Sequence, residues 1–521
     1  MACHKTNRRF FLRFVAGAVT GAVLPWRDCA AGPDAKTDDG KNRPNIVFIL
    51  ADDLGYGDVQ CLNPQRGKIP TPNIDRLARQ GVTFTESHSG SAVCSPTRYG
   101  VLTGRYSWRA LTRGIVGLYG KPLISPDRLT VPQLLRRRGY HTACVGKWHL
   151  GWDWPKKNNK PIFDQPIPGG PTARGFDYYF GVDVPNWPPY CWIENDRLQG
   201  RPSEHLGVVG KNINSKAGPA VPGWTFEPIL PTITEKACRY IEQRANDKKP
   251  FFLYFPLTSP HTPLSPTKEW KGKSGLNIYA DFVMETDAMV GRVLEALDRT
   301  MLAGNTLVIF TSDNGMAHYA GAAELESRGH YPSGEFRGYK ADAWDGGHHV
   351  PFFARWPGVT KPGTTCRQLT CHTDLMATCA EIVGAKLPAC AAEDSVSILP
   401  LLAGQDKPIR EAVVHHSISG KFAIRRGKWK LLLCAGSGGW ASPNDRAAVK
   451  QGLPPVQLYD MEADIGERKN LHDKHPEIVA DLVSLLQEYA DTGRSTPGKP
   501  RKNDVPVDLF KGAKVPDGKL D

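Results

Sequence analysis

The apolar positions of this 521-residue chain change period several times. Residues 45–51 (NIVFILA) form an unbroken apolar run, the pattern of a strand buried on both faces. Runs at 140–145, 251–257 and 306–311 (TLVIFT) predict three more such strands. Helical periodicity fills the gaps. Residues 73–80 follow Pro72 and stop at Gly81, and residues 131–138 form a second helical stretch. In 277–299, Tyr279, Phe282, Val283, Thr286, Val290 and Val293 recur at three- and four-residue steps, as along one face of a long helix. Strands alternating with helices predict an α/β fold. The expectation is a large domain over 44–405 with a mostly parallel central sheet flanked by helices.

Two stretches break that rhythm. Residues 152–224 are rich in Pro, Gly, Asn and Trp and show no clean period, so they read as a long irregular insertion of the functional kind. Within it, Trp187, Tyr190 and Trp192 would either stack on sugar rings or simply pack. From residue 406 the pattern shortens. Strands at 412–416, 422–426, 429–434 and 457–459, then a helix at 477–490, predict a small α+β domain with a short antiparallel sheet over 406–491. Residues 492–521 are Pro-, Gly- and Lys-rich and suggest a flexible basic tail.

The N-terminus reads as an address. Arg8-Arg9-Phe10-Phe11-Leu12-Arg13 precedes a small-residue apolar run, and Cys29-Ala30-Ala31 offers a cleavage site. Residues 1–31 therefore read as a signal peptide, with 32–43 as a disordered lead-in. The paired arginines fit a twin-arginine signal or an ordinary basic n-region. Either implies export, to a bacterial periplasm or the medium. No later run is long and apolar enough to predict a membrane span.

Net charge is +13, of which residues 1–31 carry +4, so the remainder favours anionic partners. No zinc-finger, basic-zipper or RNP-like pattern points to nucleic acid. Of twelve cysteines, Cys3 and Cys29 leave with the signal. Cys366, Cys371, Cys379 and Cys390 cluster and could pair after export.

Four polar clusters each follow one predicted strand directly. Asp52-Asp53 follows 45–51, and Lys147-Trp148-His149 follows 140–145. His261 follows 251–257, and Asp313-Asn314 follows 306–311. In a parallel sheet the strand carboxyl ends share one edge, so these clusters should converge there. Asp52, Asp53, Asp313 and the amide oxygen of Asn314 make an all-oxygen set, which selects a hard cation, Ca²⁺ or Mg²⁺, over zinc. Separately, Cys94-Ser95-Pro96-Thr97-Arg98 places a cysteine before a turn-setting proline and a fixed cation. It reads as a candidate nucleophile near an anion.

These motifs resemble the type I sulfatases of the alkaline phosphatase superfamily, in their arylsulfatase A-like, bacterial carbohydrate-acting form. The resemblance runs from about Pro44 to Leu471. It rests on Cys94-x-Pro96-x-Arg98 with Leu102-Thr103-Gly104-Arg105, on Gly146-Lys147-Trp148-His149-Leu150-Gly151, and on Pro260-His261-Thr262-Pro263. Ser312-Asp313-Asn314-Gly315 and Arg337-Gly338-Tyr339-Lys340 complete it. It implies hydrolysis of a sulfate ester, of a sulfated glycan or an aryl sulfate. It implies that Cys94 is converted to formylglycine by a formylglycine-generating or anaerobic sulfatase-maturating enzyme. Asp52, Asp53, Asp313, Asn314 and the converted Cys94 would bind Ca²⁺ in preference to Mg²⁺. Arg98, Lys147, His149, His261 and Lys340 would complete the catalytic set, with His261 and Lys340 serving the leaving alcohol and His149 the release of sulfate. Oligomeric state is left open.

The chain departs from the family pattern at Asp345, where Glu is common, and at His349, where Arg is expected. Asp183, Asn186, His349 and His416 are the candidate substrate-binding residues, with His415-His416 readable also as a buried strand pair. Gly436–Trp440 (GSGGW) reads as a lid candidate. The same constellation would also suit a phosphonate or phosphate ester hydrolase, or, with Cys94 unconverted, a glycan-binding protein.

Overall fold

Residues 43–208 and 215–511 are described by a computed structural model. The 45–51 run is strand β1, Asn45–Ala51, with all seven residues buried. The other strands of its sheet, in chain order, are β2 Val82–Phe84, β3 His141–Lys147, β4 Tyr178–Val182, β5 Trp192–Glu194 and β6 Arg197–Gln199. They continue with β7 Phe251–Pro256, β8 Thr306–Ser312, β9 Phe352–Arg355 and β10 Thr364–Cys366. The ten strands lie in the order β10-β2-β9-β8-β1-β7-β3-β4-β5-β6. The central five, β8-β1-β7-β3-β4, are parallel, and antiparallel pairings flank them on both sides. The fold is therefore α/β with a mostly parallel sheet.

Side chains of a strand alternate between faces, and β1 uses both. Val47 and Ile49 join a core with helices Ile229–Gln243 and Ile278–Arg299, while Ile46, Phe48 and Leu50 join one with helices Val131–Arg137 and Leu375–Ile382. The long helix begins one residue later than the apolar pattern, because Asn277 is its N-cap and accepts from Ala280 N at 3.0 Å. That cap is worth about 1 kcal/mol. Within 152–224, the described residues 152–208 and 215–224 are more ordered than their composition suggests. They contain β4, which pairs parallel with β3 inside the sheet, and the β5–β6 hairpin. Alternation is lost because β4 is covered on both faces.

The small domain is a four-stranded antiparallel sheet, β11 Val413–His416, β12 Phe422–Arg426, β13 Trp429–Leu432 and β14 Gln457–Asp460. Helix Pro476–Thr492 lays Leu482, Leu486 and Tyr489 on Val414, Ile424 and Leu431. The expected flexible tail is corrected up to Lys511. Arg105 Nη1 donates to Asp504 Oδ2 at 2.8 Å, Arg109 Nη1 donates to Asn503 Oδ1 at 3.0 Å, and Leu509 is buried in the small-domain core. Arg105 and Arg109 are fully buried guanidinium groups that need acceptors, and residues 503–504 supply two of them. Cys366, Cys371 and Cys379 are free thiols, so the pairing expected among these three does not occur. The signal and most of the lead-in lie outside the described residues. Among the described residues no helix is long and apolar enough to cross a membrane.

Candidate active site

The carboxyl ends of β1, β3, β7 and β8 do share one edge. Backbone bonds lock the turns there: Asp52 N donates to Ser259 O at 2.9 Å, and Asp313 N donates to Ala51 O at 3.0 Å. Asp53 adopts a positive φ of 66°, a conformation that costs free energy outside glycine and persists only when surrounding contacts impose it. Here its N–H donates to Asp313 Oδ1 at 3.1 Å. Cys94 opens helix Cys94–Thr103, whose ten residues are all buried. This aims the cysteine and Arg98, one turn later, at the same edge. Arg98 is held at that edge, its Nη1 donating to the Lys147 carbonyl at 3.2 Å.

Three cations interlace with three carboxylates. Lys147 Nζ donates to Asp52 Oδ2 at 2.6 Å, Arg98 Nη2 donates to Asp313 Oδ2 at 2.9 Å, and Lys340 Nζ donates to Asp53 Oδ1. Burial alone would raise the Asp52 pKa, but Lys147, His261 and Arg98 outweigh it and hold the group well below the ordinary carboxylate range. Burial and the Asp52 charge push Asp313 up instead. Burial would release the Lys340 proton, yet Asp53 keeps it bound.

Some atoms stay unpaired. Asp52 Oδ1, Asp53 Oδ2 and Asn314 Oδ1 are buried and make no hydrogen bond. Arg98 Nη2 stands 3.5 Å from Asp52 Oδ1 and His261 Nε2 stands 3.7 Å from Asp53 Oδ2, too far to hydrogen-bond well, and a hard cation would serve both carboxylate oxygens and the neutral Asn314 amide oxygen at once. Asp52, Asp53 and His261 offer ligand atoms within 4.8 Å of one another. The residues thus fit a divalent cation of the Ca²⁺ or Mg²⁺ type.

The two histidines are set differently. His149 also has a positive φ, 53°, imposed where its N–H meets the Asp183 carbonyl at 3.1 Å and Asp183 Oδ1 at 3.2 Å. Its Nε2 lies 3.1 Å from the Val116 carbonyl, which can only accept, so the proton sits on Nε2. Nδ1 is left as a buried, unpartnered acceptor. Burial first, then Lys147, lowers His149 to about 3. His261 turns Nδ1 to the Thr262 carbonyl and Nε2 to Asp53 Oδ2 at 3.7 Å. Burial, then Lys147, lowers it to about 4.

A family model described as Sulfatase matches residues 44–385. The chain belongs to the sulfatase family. It is a sulfuric ester hydrolase. An N-acetylgalactosamine-6-O-sulfatase of Bacteroides thetaiotaomicron is 33% identical over 86% of this chain and 94% of its own length. The steryl-sulfatase of Mus musculus is 30% identical over 94% of this chain and 88% of its own. Among solved structures, one from a glycosaminoglycan-metabolising core locus of Bacteroides thetaiotaomicron superposes with a TM-score of 0.76. It is 31% identical and covers 86% of this chain and 99% of its own.

In this sulfatase, Cys94, Arg98, Lys147, His149, His261 and Lys340 come together with Asp52, Asp53, Asp313 and Asn314. The four substrate-pocket candidates behave otherwise. Asp183 turns its carboxylate to the His149 backbone and positions that residue. Asn186 is buried next to Trp187, its carbonyl receiving Tyr190 OH at 2.9 Å. His349 is corrected: it is buried, stacked on Phe336 at 4.0 Å, and its nitrogens face Asp345 Oδ2 and the Thr85 carbonyl. His416 is corrected as well, since its ring is buried between Ser107 Oγ at 2.9 Å and the Ser417 carbonyl at 3.0 Å. Both fill the seam between the domains, where their ring nitrogens find partners. Of the insertion aromatics, Trp187 reaches the site, 5.5 Å from the His149 ring, with Lys216 Nζ 4.1 Å over its face. Tyr190 is buried, and Trp192 stacks on Phe180 at 5.1 Å.

Three participants escaped the sequence reading. The Val116 carbonyl is a backbone atom with no residue signature. Lys216 lies in the aperiodic insertion. Tyr319 acts on Lys340 and could have been flagged by its place in the loop that opens with Asp313-Asn314. The small domain also reaches the site: Ile418 N donates to Ala341 O at 3.0 Å, and Gly114 N donates to Ile418 O at 2.8 Å.

Proposed function

We propose that this sulfatase removes sulfate from a sulfated carbohydrate, using formylglycine made from Cys94 and a bound Ca²⁺. The observation that carries the cation is the trio of buried oxygens on Asp52, Asp53 and Asn314 that make no hydrogen bond. The carbohydrate reading is supported by the relatives, one named for an N-acetylgalactosamine 6-sulfate and one drawn from a glycosaminoglycan locus. It is also supported by the basic balance of the chain.

Asp52, Asp53, Asp313 and Asn314 would hold the cation, and its charge together with the converted Cys94 supplies the Lewis acid and the nucleophile. The chain's own groups do the rest. Arg98, Lys147 and Lys340 are preorganised donors for the sulfate oxygens, and burial strengthens them because water is excluded. Lys340, held protonated by Asp53, is the group that can give the leaving alcohol its proton, while His261, whose Nδ1 proton is committed to the Thr262 carbonyl, could serve that alcohol as an acid only when doubly protonated. His149 is a base with one free nitrogen: the Val116 carbonyl fixes its tautomer, and Nδ1 can accept the proton whose loss releases sulfate. Export by the signal at residues 1–31 would bring the enzyme to its glycan.

Mass spectrometry of the Cys94 peptide, with turnover of an aryl sulfate, a sulfated N-acetylhexosamine and a phosphonate ester, tests this reading. The expected result is an aldehyde at position 94 and sulfate release from both sulfates. A persistent thiol in the native host, or cleavage of the phosphorus ester alone, sinks it.

A further inference from the structure

The Gly436–Trp440 segment is built as a fixed wall, not as a moving lid. Gly436 N and Gly438 N both donate to Asp445 Oδ1 at 3.1 Å, and Gly439 N donates to Ser437 Oγ at 3.1 Å. Trp440 N and Ala441 N donate to the buried Asp342 Oδ1 at 2.8 and 3.0 Å. A Cβ on Gly439 would lie 2.3 Å from the Ala341 carbonyl oxygen, so only glycine allows this approach. Ala341 follows Lys340 and is itself held at a φ of 81°. The loop therefore docks against the residue next to a catalytic lysine.

This docking leaves the Trp440 side chain 40% exposed, although its backbone is pinned. Its ring lies 5.9 Å from Tyr319 and 6.2 Å from His318. The His318 ring also lies 6.4 Å from Tyr339, the residue before Lys340. An aromatic wall thus runs from the Tyr339–Ala341 segment that carries Lys340 outward to solvent. Across the site, the Trp187 face is already covered by Lys216. An exposed indole on a pinned backbone, beside the segment that carries Lys340, is a binding surface prepared at low entropic cost.

Resting on the carbohydrate reading above, we infer that Trp440, with Tyr319 and His318, binds the sugar residue adjoining the sulfated one, on the Lys340 side of the site. A hexopyranose presents a face of C–H groups that suits the negative face of an indole, with hydroxyls left at the rim for water. Such a contact serves only substrates long enough to reach it. It is felt equally in ground state and transition state, and so appears in KM.

The experiment compares Trp440→Ala and Trp440→Phe with wild type on 4-nitrophenyl sulfate and on sulfated disaccharides and tetrasaccharides. Loss of one stacking contact of about 1.4 kcal/mol corresponds to a tenfold fall in kcat/KM on the oligosaccharides, mostly in KM. Aryl sulfate turnover should change less than about twofold, since the chemical step is untouched, and Trp440→Phe should restore most of the loss. Equal loss on all substrates makes Trp440 a mere support for the Lys340 loop and overturns the inference. So does an oligosaccharide rate that does not change. Calorimetric affinity for the desulfated tetrasaccharide is independent of turnover and should weaken about tenfold in Trp440→Ala; unchanged affinity overturns the inference even where catalysis is absent. A wild type that cleaves aryl sulfate but neither cleaves nor binds the oligosaccharides sinks this inference and the carbohydrate reading while leaving the sulfatase assignment intact.

Discussion

At the catalytic edge, Asp52, Asp53 and Asn314 each leave one buried oxygen without a hydrogen bond. At the seam between the domains, a second buried cluster leaves none on its acids. Lys430 Nζ donates to Asp345 Oδ1 at 2.6 Å and to Glu467 Oε1 at 2.7 Å. His349 meets Asp345 Oδ2 at 3.0 Å, and Asp345 N donates to Glu467 Oε2 at 2.6 Å. The atoms left without a hydrogen bond there are imidazole nitrogens on His88 and His415 and the outer Glu86 Oε2, which Arg425 Nη1 meets at 2.7 Å. Both clusters bury charge to the same depth, so burial does not separate a working site from a structural one. Unfinished pairing of charged atoms does.

Substitution should break the two clusters in opposite ways. Cys94→Ala removes the group that receives the sulfate, and sulfate release should fall at least about 10⁴-fold, as when a nucleophile is deleted. Its melting temperature should stay near that of wild type, because Cys94 completes no salt bridge. Lys430→Met strands Asp345 and Glu467 as buried acids and should cost about 3–5 kcal/mol of unfolding free energy. The folded fraction should keep aryl sulfatase activity to within about threefold. Denaturant titration beside initial rates reads both. A Lys430→Met protein of wild-type stability would mean that the seam tolerates unpaired charge as the active site does, and the contrast would fail.

Added Ca²⁺ sharpens the contrast from the other side. At a hundred times its dissociation constant it should raise the unfolding free energy of chelator-treated wild type by about 2.7 kcal/mol. Asp53→Asn should lose most of that gain, while Lys430→Met should keep it. Scanning calorimetry with and without the ion reads the shift. An equal gain in Asp53→Asn would place the ion elsewhere.

The sheet was legible wherever a strand was long and buried on both faces. β1, β7 and β8 are apolar runs and β3 carries the apolar stretch Ala143, Cys144 and Val145, and the clusters after them were expected together because parallel strands send their carboxyl ends to one edge. Short strands were not legible. Val82–Phe84 has three residues and no period to read, and β4 was masked by the Pro- and Trp-rich chain around it. His349 and His416 were misplaced for a different reason. A histidine beside a motif looks the same in sequence whether it faces a substrate or a seam. Only the three-dimensional partners, Asp345 and Thr85 for one and Ser107 for the other, separate the cases. The tail misled because composition does not register that Arg105 and Arg109 are buried and in need of acceptors.

The smallest change per step, about 0.7 kcal/mol at each half pH unit, uses pH to read the seam alone. His415 is fully buried on β11, stacked on His348 at 3.9 Å, with Lys430 and Arg425 adding positive charge and Asp345 opposing them. Burial first, then Lys430, lowers it to about 3. Unfolded, it would titrate near 6.5. Between those values the unfolded chain binds the proton and the folded chain refuses it, so stability falls as pH falls below about 6.5, by about 1.4 kcal/mol per pH unit for this one group. Glu467, which burial raises to about 7, and Asp342, raised to about 6, act with the opposite sign. The absolute profile of wild type therefore mixes both. The difference between wild type and His415→Gln cancels those acids to the extent that the substitution leaves them unmoved. Above pH 6.5 the variant should show a constant packing cost. Below it, the gap should close steadily toward pH 4, because only the wild-type unfolded chain gains a proton at position 415. Urea titrations at half-unit intervals would trace the gap, and parallel stability curves would show that His415 takes up its proton without leaving the fold.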